Sequence, residues 1–175
     1  GTGPVSATDS ATPFVFHTAN DSALFSACPT GSAPTAGFSD VASTDVDCIK
    51  YYGITKGTTA TTYSPYDFVS RWQMALFLTR MATKAEATLG DGSNQGFADI
   101  SGKSTEIQTA INQLKQLGVT VGKTATTYAP DDYVTREEMA LFIARLLKEV
   151  KVGPGGNTEY VTGTSGATET KSNHT

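Results

Sequence analysis

The feature that most constrains this chain of 175 residues is an internal repeat at a fixed spacing of 65 residues. Residues 53–82 and 118–147 share 17 identities in 30 aligned positions, which chance does not produce. A repeat of this length indicates two copies of one supersecondary unit that pack on each other. We therefore predict a first unit at residues 37–84 and a second unit at 96–148, joined by a linker at 85–95.

The first helix of each unit is predicted from a one-sided apolar stripe. In the second unit, apolar residues recur every three or four positions over 107–117, as in an amphipathic helix. A glycine follows each stripe, Gly53 and Gly118, where the left-handed residue that ends many helices belongs. An aspartate two residues after a phenylalanine, Asp40 or Asp99, precedes each of these helices. We call these two the motif aspartates and expect each to cap its helix or the turn before it.

The second helix of each unit begins with a capping-box pattern. Ser70 is followed three residues later by Gln73, and Thr135 is followed in the same way by Glu138. In this pattern the hydroxyl accepts from the amide three residues on, and the longer side chain accepts from the capping residue's own amide. Each unit is therefore predicted to fold as helix, loop, helix, and the chain to be mainly α.

The segments that flank the two units differ from them in composition. Residues 1–36 contain no Lys or Arg, and residues 149–175 are rich in Gly, Thr and Ser, so we expect extended N- and C-terminal segments. Cys28 and Cys48 stand 20 residues apart, a spacing that fits no zinc or Cys-x-x-Cys pattern. We predict a disulfide that docks the N-terminal segment; two separate buried thiols are the alternative.

The composition argues against several classes of function. Charged residues make up 17% of the chain and the net charge is −4, so the basic footprint of a nucleic-acid binder is lacking. No apolar run approaches ~18 residues, so we expect no membrane insertion. The chain has no nucleophile elbow, P-loop or dinucleotide motif, and His17 and His174 stand apart from other metal ligands. We expect no catalytic residues, no cofactor and no metal site.

Taken in order, the motifs of both units resemble those of the S-layer homology domain family. The shared elements are a Phe-x-Asp start, a helix, a Gly-x-x-x-Gly turn, a Tyr-x-Pro loop and a hydroxyl-Arg opening of the second helix. The resemblance covers about residues 37–148. It implies two S-layer-homology-like repeats in a pseudo-symmetric bundle, serving as a non-catalytic module that attaches a protein to cell-surface polysaccharide.

The resemblance also implies ligand-contacting residues. The arginine that opens the second helix corresponds to Arg71 and Arg136, and a guanidinium donates two parallel hydrogen bonds to a carboxylated sugar. Trp72, the only tryptophan, is a further candidate for polymer binding, with a buried subunit contact as its alternative. The alternative for the arginines is a pairing with a nearby carboxylate, such as Asp67 or Asp132, that fixes the loop.

Two hypotheses of function therefore remain open. The first is an extracellular module that anchors a protein on wall polysaccharide at the cell surface. The second is a structural protein whose repeats mediate assembly in a surface layer, a filament or a virion shell, with localisation on a virion surface as the alternative. The family usually works with three units, so a chain with two leaves a groove that another subunit would fill. On that ground we expect a homo-oligomer.

Overall fold

The structure is a computed structural model that describes Cys28 and residues 33–149. Most of the predicted N-terminal segment and nearly all of the predicted C-terminal tail lie outside the described residues. Within them no β-strand occurs, and an isolated antiparallel bridge joins Ser70 to Tyr133. The prediction of a mainly α fold is confirmed. The described helices are α1 (Thr44–Tyr51), α2 (Arg71–Lys84), α3 (Thr105–Gln116) and α4 (Arg136–Leu147), with a short 3-10 helix at Ala98–Ile100.

The second helix of each unit begins with a complete capping box. At α2 the Ser70 hydroxyl accepts from the Gln73 amide, and the Gln73 side chain accepts from the Ser70 amide at 2.9 Å. At α4 Thr135 and Glu138 make the same exchange, at 3.1 and 3.0 Å. Each exchange satisfies amide groups that have no partner inside their own helix.

The first helix of each unit ends at a glycine in the left-handed region. Gly53 has φ +73° and Gly118 has φ +79°, and each directly follows the C-cap residue of its helix. The next amide, at Val119, donates to the Leu114 carbonyl at 2.9 Å, which closes the turn that terminates α3. A β-carbon is unfavourable in this backbone conformation, so glycine is the residue that fits.

We expected Asp40 and Asp99 to cap the first helices or the turns before them; the helix caps themselves are made by other residues. The side chain that caps α1 belongs to Ser43, and the one that caps α3 belongs to Ser104. These serines lie next to the first helical residue, where a short hydroxyl side chain reaches the free amides. Asp40 and Asp99 lie further upstream, so their carboxylates are free to bind another part of the unit.

Each motif aspartate holds the loop between the two helices of its unit. The Asp99 carboxylate accepts from the amide of Tyr128 at 2.9 Å and from that of Ala129 at 2.7 Å. Asp40 accepts in the same way from the amides of residues 63 and 64. The start of each unit is thereby connected to its Tyr-x-Pro loop, 23 to 30 residues further along the chain.

The main core lies between the two units. Helix α2 of the first unit packs against α3 of the second, and α4 closes the cluster. Phe38 and Val46 of the first unit are also buried, but lie outside this cluster. The two units therefore form one body around the α2–α3 contact. The largest buried side chains of this cluster are Met74, Leu78, Phe97, Ile100, Ile111, Leu114, Tyr128, Phe142 and Leu146.

The predicted disulfide is confirmed. Cys28 is bonded to Cys48 on α1, which fixes the end of the N-terminal segment to the first unit. A second contact supports this placement, since the Ala36 amide donates to the Asp47 carboxylate at 2.7 Å. The chain before Cys28, which we expect to be extended, lies outside the described residues.

Candidate functional site

The joint between the two units is centred on Arg71, which is only 2% exposed. Its Nε donates to the Tyr128 carbonyl at 2.8 Å, and its Nη1 donates to the Glu138 carboxylate at 2.7 Å. The guanidinium carbon also lies 4.5 Å from the Tyr128 ring centroid and 5.3 Å from that of Phe142. The guanidinium is thus enclosed between the two units, a setting that favours a structural role over contact with a polymer.

The sequence suggested that Arg71 pairs with a nearby carboxylate such as Asp67 or Asp132. Arg71 does pair with a carboxylate, but neither of these two supplies it. The N-terminus of α2 docks on the loop of the other unit, so the carboxylate comes from Glu138 on α4. Asp132 contributes its backbone carbonyl instead, which accepts from the Arg71 amide at 2.8 Å. At Arg71 the structure therefore has the alternative arrangement, in which the arginine pairs with a carboxylate and fixes a loop.

The loop of the second unit satisfies the free amides at the start of α2. In addition to the hydrogen bond from the Arg71 amide to Asp132, the Trp72 amide donates to the Pro130 carbonyl at 2.9 Å. Tyr128 is fully buried, and its hydroxyl donates to the Arg71 carbonyl at 2.9 Å. Burial raises the pKa of this phenol well above its usual value. Tyr128 is therefore a neutral hydrogen-bond donor in the folded protein.

The carboxylate of Glu138 binds two cations and also caps α4. Its Oε1 accepts from Arg71 and from Lys123, and its Oε2 accepts from the Thr135 amide. Desolvation alone would raise the pKa of this carboxyl, but the hydrogen bonds from Lys123 and Thr135 and the charge of Arg71 outweigh it. The pKa of Glu138 is consequently held below its usual value of 4.5.

Two exposed aromatic rings lie at the outer side of the same joint. Phe68 is 76% exposed and Tyr133 is 62% exposed, yet their ring centroids are only 5.1 Å apart. They are equivalent positions in the two units, 65 residues apart in sequence. We call this pair the aromatic patch. It was not predicted from the sequence, although an aromatic residue repeated outside both apolar stripes was a usable signal.

The two remaining predicted ligand residues have different settings. Arg136 opens α4 on the surface, and it forms no ion pair with another residue of the described ranges. Trp72 is half-buried and lines a groove of about 480 Å³ in the first unit, together with Tyr63, Phe68 and Phe77. We call this the first-unit groove. The structure therefore separates Arg136, Trp72 and Arg71 into a surface, a groove and a buried position.

The described residues contain neither a cluster of acidic, histidine or cysteine side chains suited to a metal ion nor a helix long and apolar enough to span a bilayer.

Comparison with known proteins identifies one part of the chain. Residues 96–140 match the S-layer homology domain family. An endoglucanase from Bacillus sp. (strain KSM-635) is 36% identical over 93 residues, which make up 51% of this chain and 9% of the endoglucanase. The chain thus spans only a small part of that relative's length. The family match lies inside the second unit, so one S-layer homology domain is supported rather than the two repeats expected.

Proposed function

We propose, with the S-layer homology match of residues 96–140 as the premise, that this chain is a non-catalytic module that anchors a protein at the cell surface by binding wall polysaccharide. The observation that carries the proposal is the aromatic patch, an exposed pair of rings beside the buried joint of Arg71. Contiguous exposed apolar surface is a feature of interaction sites.

The first unit is proposed as a second domain of the same family. Its aspartate, glycines and capping box make the contacts that their equivalents make in the second unit. The two loop glycines are one example of the likeness. A β-carbon at Gly57 would lie 2.5 Å from the Phe38 ring, and one at Gly122 would lie 2.5 Å from the Phe97 ring. This agreement of contacts supports one fold for both units.

In the proposed binding mode, Phe68 and Tyr133 stack on sugar rings while Arg136 binds an anionic substituent. Aromatic side chains combine a large apolar face with a polar edge, which suits a sugar ring. A guanidinium at a helix N-terminus presents a charged fork in a field that already favours anions. Trp72 extends the apolar surface into the first-unit groove. Arg71 acts as a positioning residue, because it holds the loop that carries Tyr133.

A pull-down on purified wall polysaccharide tests this proposal. The intact chain should sediment with the polymer, and binding should fall in Phe68→Ala with Tyr133→Ala and in Arg136→Ala. Tyr51→Ala and Lys148→Ala are matched controls, since they remove an exposed ring and an exposed cation away from the patch. The proposal fails if the intact chain does not bind, or if patch and control variants bind alike.

The anchoring role also accounts for the likeness to an enzyme. The similar region covers 9% of the endoglucanase, which is too little to include a whole catalytic domain as well as an anchor. We therefore propose that the likeness reflects a shared surface-anchoring module and that this chain hydrolyses no glycan. The alternative of assembly between copies rests on a different observation, an exposed apolar face on α4. Nothing in the comparisons points to a virion shell.

A further inference from the structure

Helices α2 and α4 are equivalent in the repeat but differ in what covers them. The face of α2 that carries Arg71, Leu78 and Ala82 is buried against the second unit. The same positions on α4 are exposed, with Ile143 at 52% and Leu147 at 58%. The full set of equivalent positions on α4 is Arg136, Ala140, Ile143 and Leu147, and all four are exposed.

The surface that would receive this face also exists in the same chain. Arg71 lies in a slot formed by the rings of Tyr128 and Phe142 and by the carboxylate of Glu138. The equivalent residues of the first unit, 65 positions earlier, are Tyr63, Phe77 and Gln73. All three line the first-unit groove, which is open to solvent.

We propose that α4 of one copy of this chain docks on the first-unit groove of a second copy, with Arg136 entering between Tyr63 and Phe77. The contact would reproduce between chains the joint that α2 and the second unit already form within one chain. The amides of Arg136 and Glu137 would then donate to the carbonyls of Asp67 and Pro65. The interface is heterologous, because each copy offers α4 on one side and the groove on the other.

The two units differ at one position that sets the strength of this contact, Gln73 in the first and Glu138 in the second. Within the chain, the guanidinium of Arg71 meets a carboxylate, whereas the groove offers the neutral amide of Gln73 at the equivalent place. A hydrogen bond between two charged groups is stronger than one between a cation and an amide. Docking between copies is therefore weaker than the internal joint and depends on protein concentration.

This inference does not rest on polysaccharide binding, because docking of α4 on the groove requires no ligand. One Arg136 side chain cannot occupy the groove of a second copy and contact a polymer at the same time. An assembly experiment without polymer therefore tests the inference alone. Failure of the polysaccharide pull-down would leave its result unchanged.

Sedimentation velocity over a range of concentrations provides the test. The intact chain should form species larger than one copy as concentration rises. An α4 variant, Arg136→Ala with Ile143→Asp, and a groove variant, Gln73→Lys, should each remain monomeric. Mixed in equal amounts they should form a one-to-one dimer and nothing larger, because each retains one functional half. Lys148→Ala should assemble like the intact chain.

A gain-of-function variant sharpens the test. Gln73→Glu places in the groove the carboxylate that Glu138 supplies in the second unit, and Glu138 shows that one carboxylate serves both the arginine and the capping box. This variant should associate about tenfold more tightly than the intact chain. Circular dichroism would verify that every variant keeps its helices.

Three results would overturn the inference. A monomer at all concentrations would show that α4 of one copy does not dock on the groove of another. Assembly that survives both the α4 and the groove variants would place the contact elsewhere. A mixture of the two variants that stays monomeric would exclude a heterologous contact.

Discussion

Arg71 and Arg136 occupy equivalent positions in the two units, yet the first is buried and the second lies on the surface. The difference arises because only one of the two helix starts is covered. The loop of the second unit packs on the start of α2, whereas no described segment covers the start of α4. The same motif arginine is therefore buried in the joint in one unit and exposed at the surface in the other.

Replacement of the buried arginine should reduce stability. Arg71→Ala leaves the Tyr128 carbonyl without its donor and removes one of the two cations that bind Glu138. We expect a loss of about 2–3 kcal/mol in the free energy of unfolding, measured by urea denaturation. Arg136→Ala is the matched control and should change stability by less than about 0.5 kcal/mol. Equal effects of the two substitutions would contradict the structural role of Arg71.

The carboxylate of Glu138 should make stability depend on pH. Its pKa is lowered in the folded protein, so its contribution is present above the unfolded value of 4.5 and is lost as pH falls through the folded value. Thermal unfolding between pH 7 and pH 3 should show this loss. Glu138→Gln keeps an acceptor for the helix cap, as Gln73 does in the first unit, and should flatten the acid side of the profile. An unchanged profile would assign the acid sensitivity to other carboxylates.

At the scale of elements, the helices and the loop depend on glycine for different reasons. Gly118 needs its left-handed backbone, but an added β-carbon would meet nothing within 4 Å. Gly122 needs the same backbone, and there a β-carbon would lie 2.5 Å from the Phe97 ring and 2.6 Å from a loop carbonyl. The end of α3 is thus a local feature, whereas the loop turn also depends on tertiary packing.

Alanine substitutions should separate these two causes. Gly118→Ala should lower the free energy of unfolding by about 1–2 kcal/mol, which is the cost of placing an L residue in the left-handed region. Gly122→Ala should cost clearly more, because the Phe97 ring or the loop backbone must also shift. Urea denaturation of both variants gives the comparison. An equal or smaller effect at Gly122 would show that the loop relaxes freely around a methyl group.

At the scale of the whole molecule, the disulfide fixes the N-terminal segment to a small first helix. Helix α1 has 8 residues and a single buried side chain, so it contributes little core of its own. The bond between Cys28 and Cys48 closes a loop across a sequence separation of 20 residues. Cross-linking at this separation restricts the unfolded chain and thereby stabilises the folded one.

Loss of the disulfide should therefore destabilise the protein. Reduction, or Cys28→Ser with Cys48→Ser, should lower the free energy of unfolding by about 3 kcal/mol on loop-closure entropy. The measurement is urea denaturation with and without reductant, with the double variant as the reductant-insensitive control. A reduced protein with an unchanged midpoint would show that α1 is held by its other contacts, such as that of Ala36 with Asp47.

The local structure of this protein could be predicted from its sequence alone. The apolar stripes, the glycines after them and the hydroxyl-led capping patterns predicted the helices of both units, because these signals act over a few residues. Two cysteines also indicated one disulfide. Such features arise from backbone geometry and local hydrogen bonding, so they do not depend on what packs against them.

The burial or availability of each repeated residue, in contrast, is a property of the tertiary structure. Tyr128 and Tyr63 have the same motif, but one is enclosed in the joint and the other lines an open groove. The partners of Asp40 and Asp99 were likewise hidden, because they lie more than 20 residues away. Burial depends on contacts between distant segments, and a local pattern carries no information on those contacts.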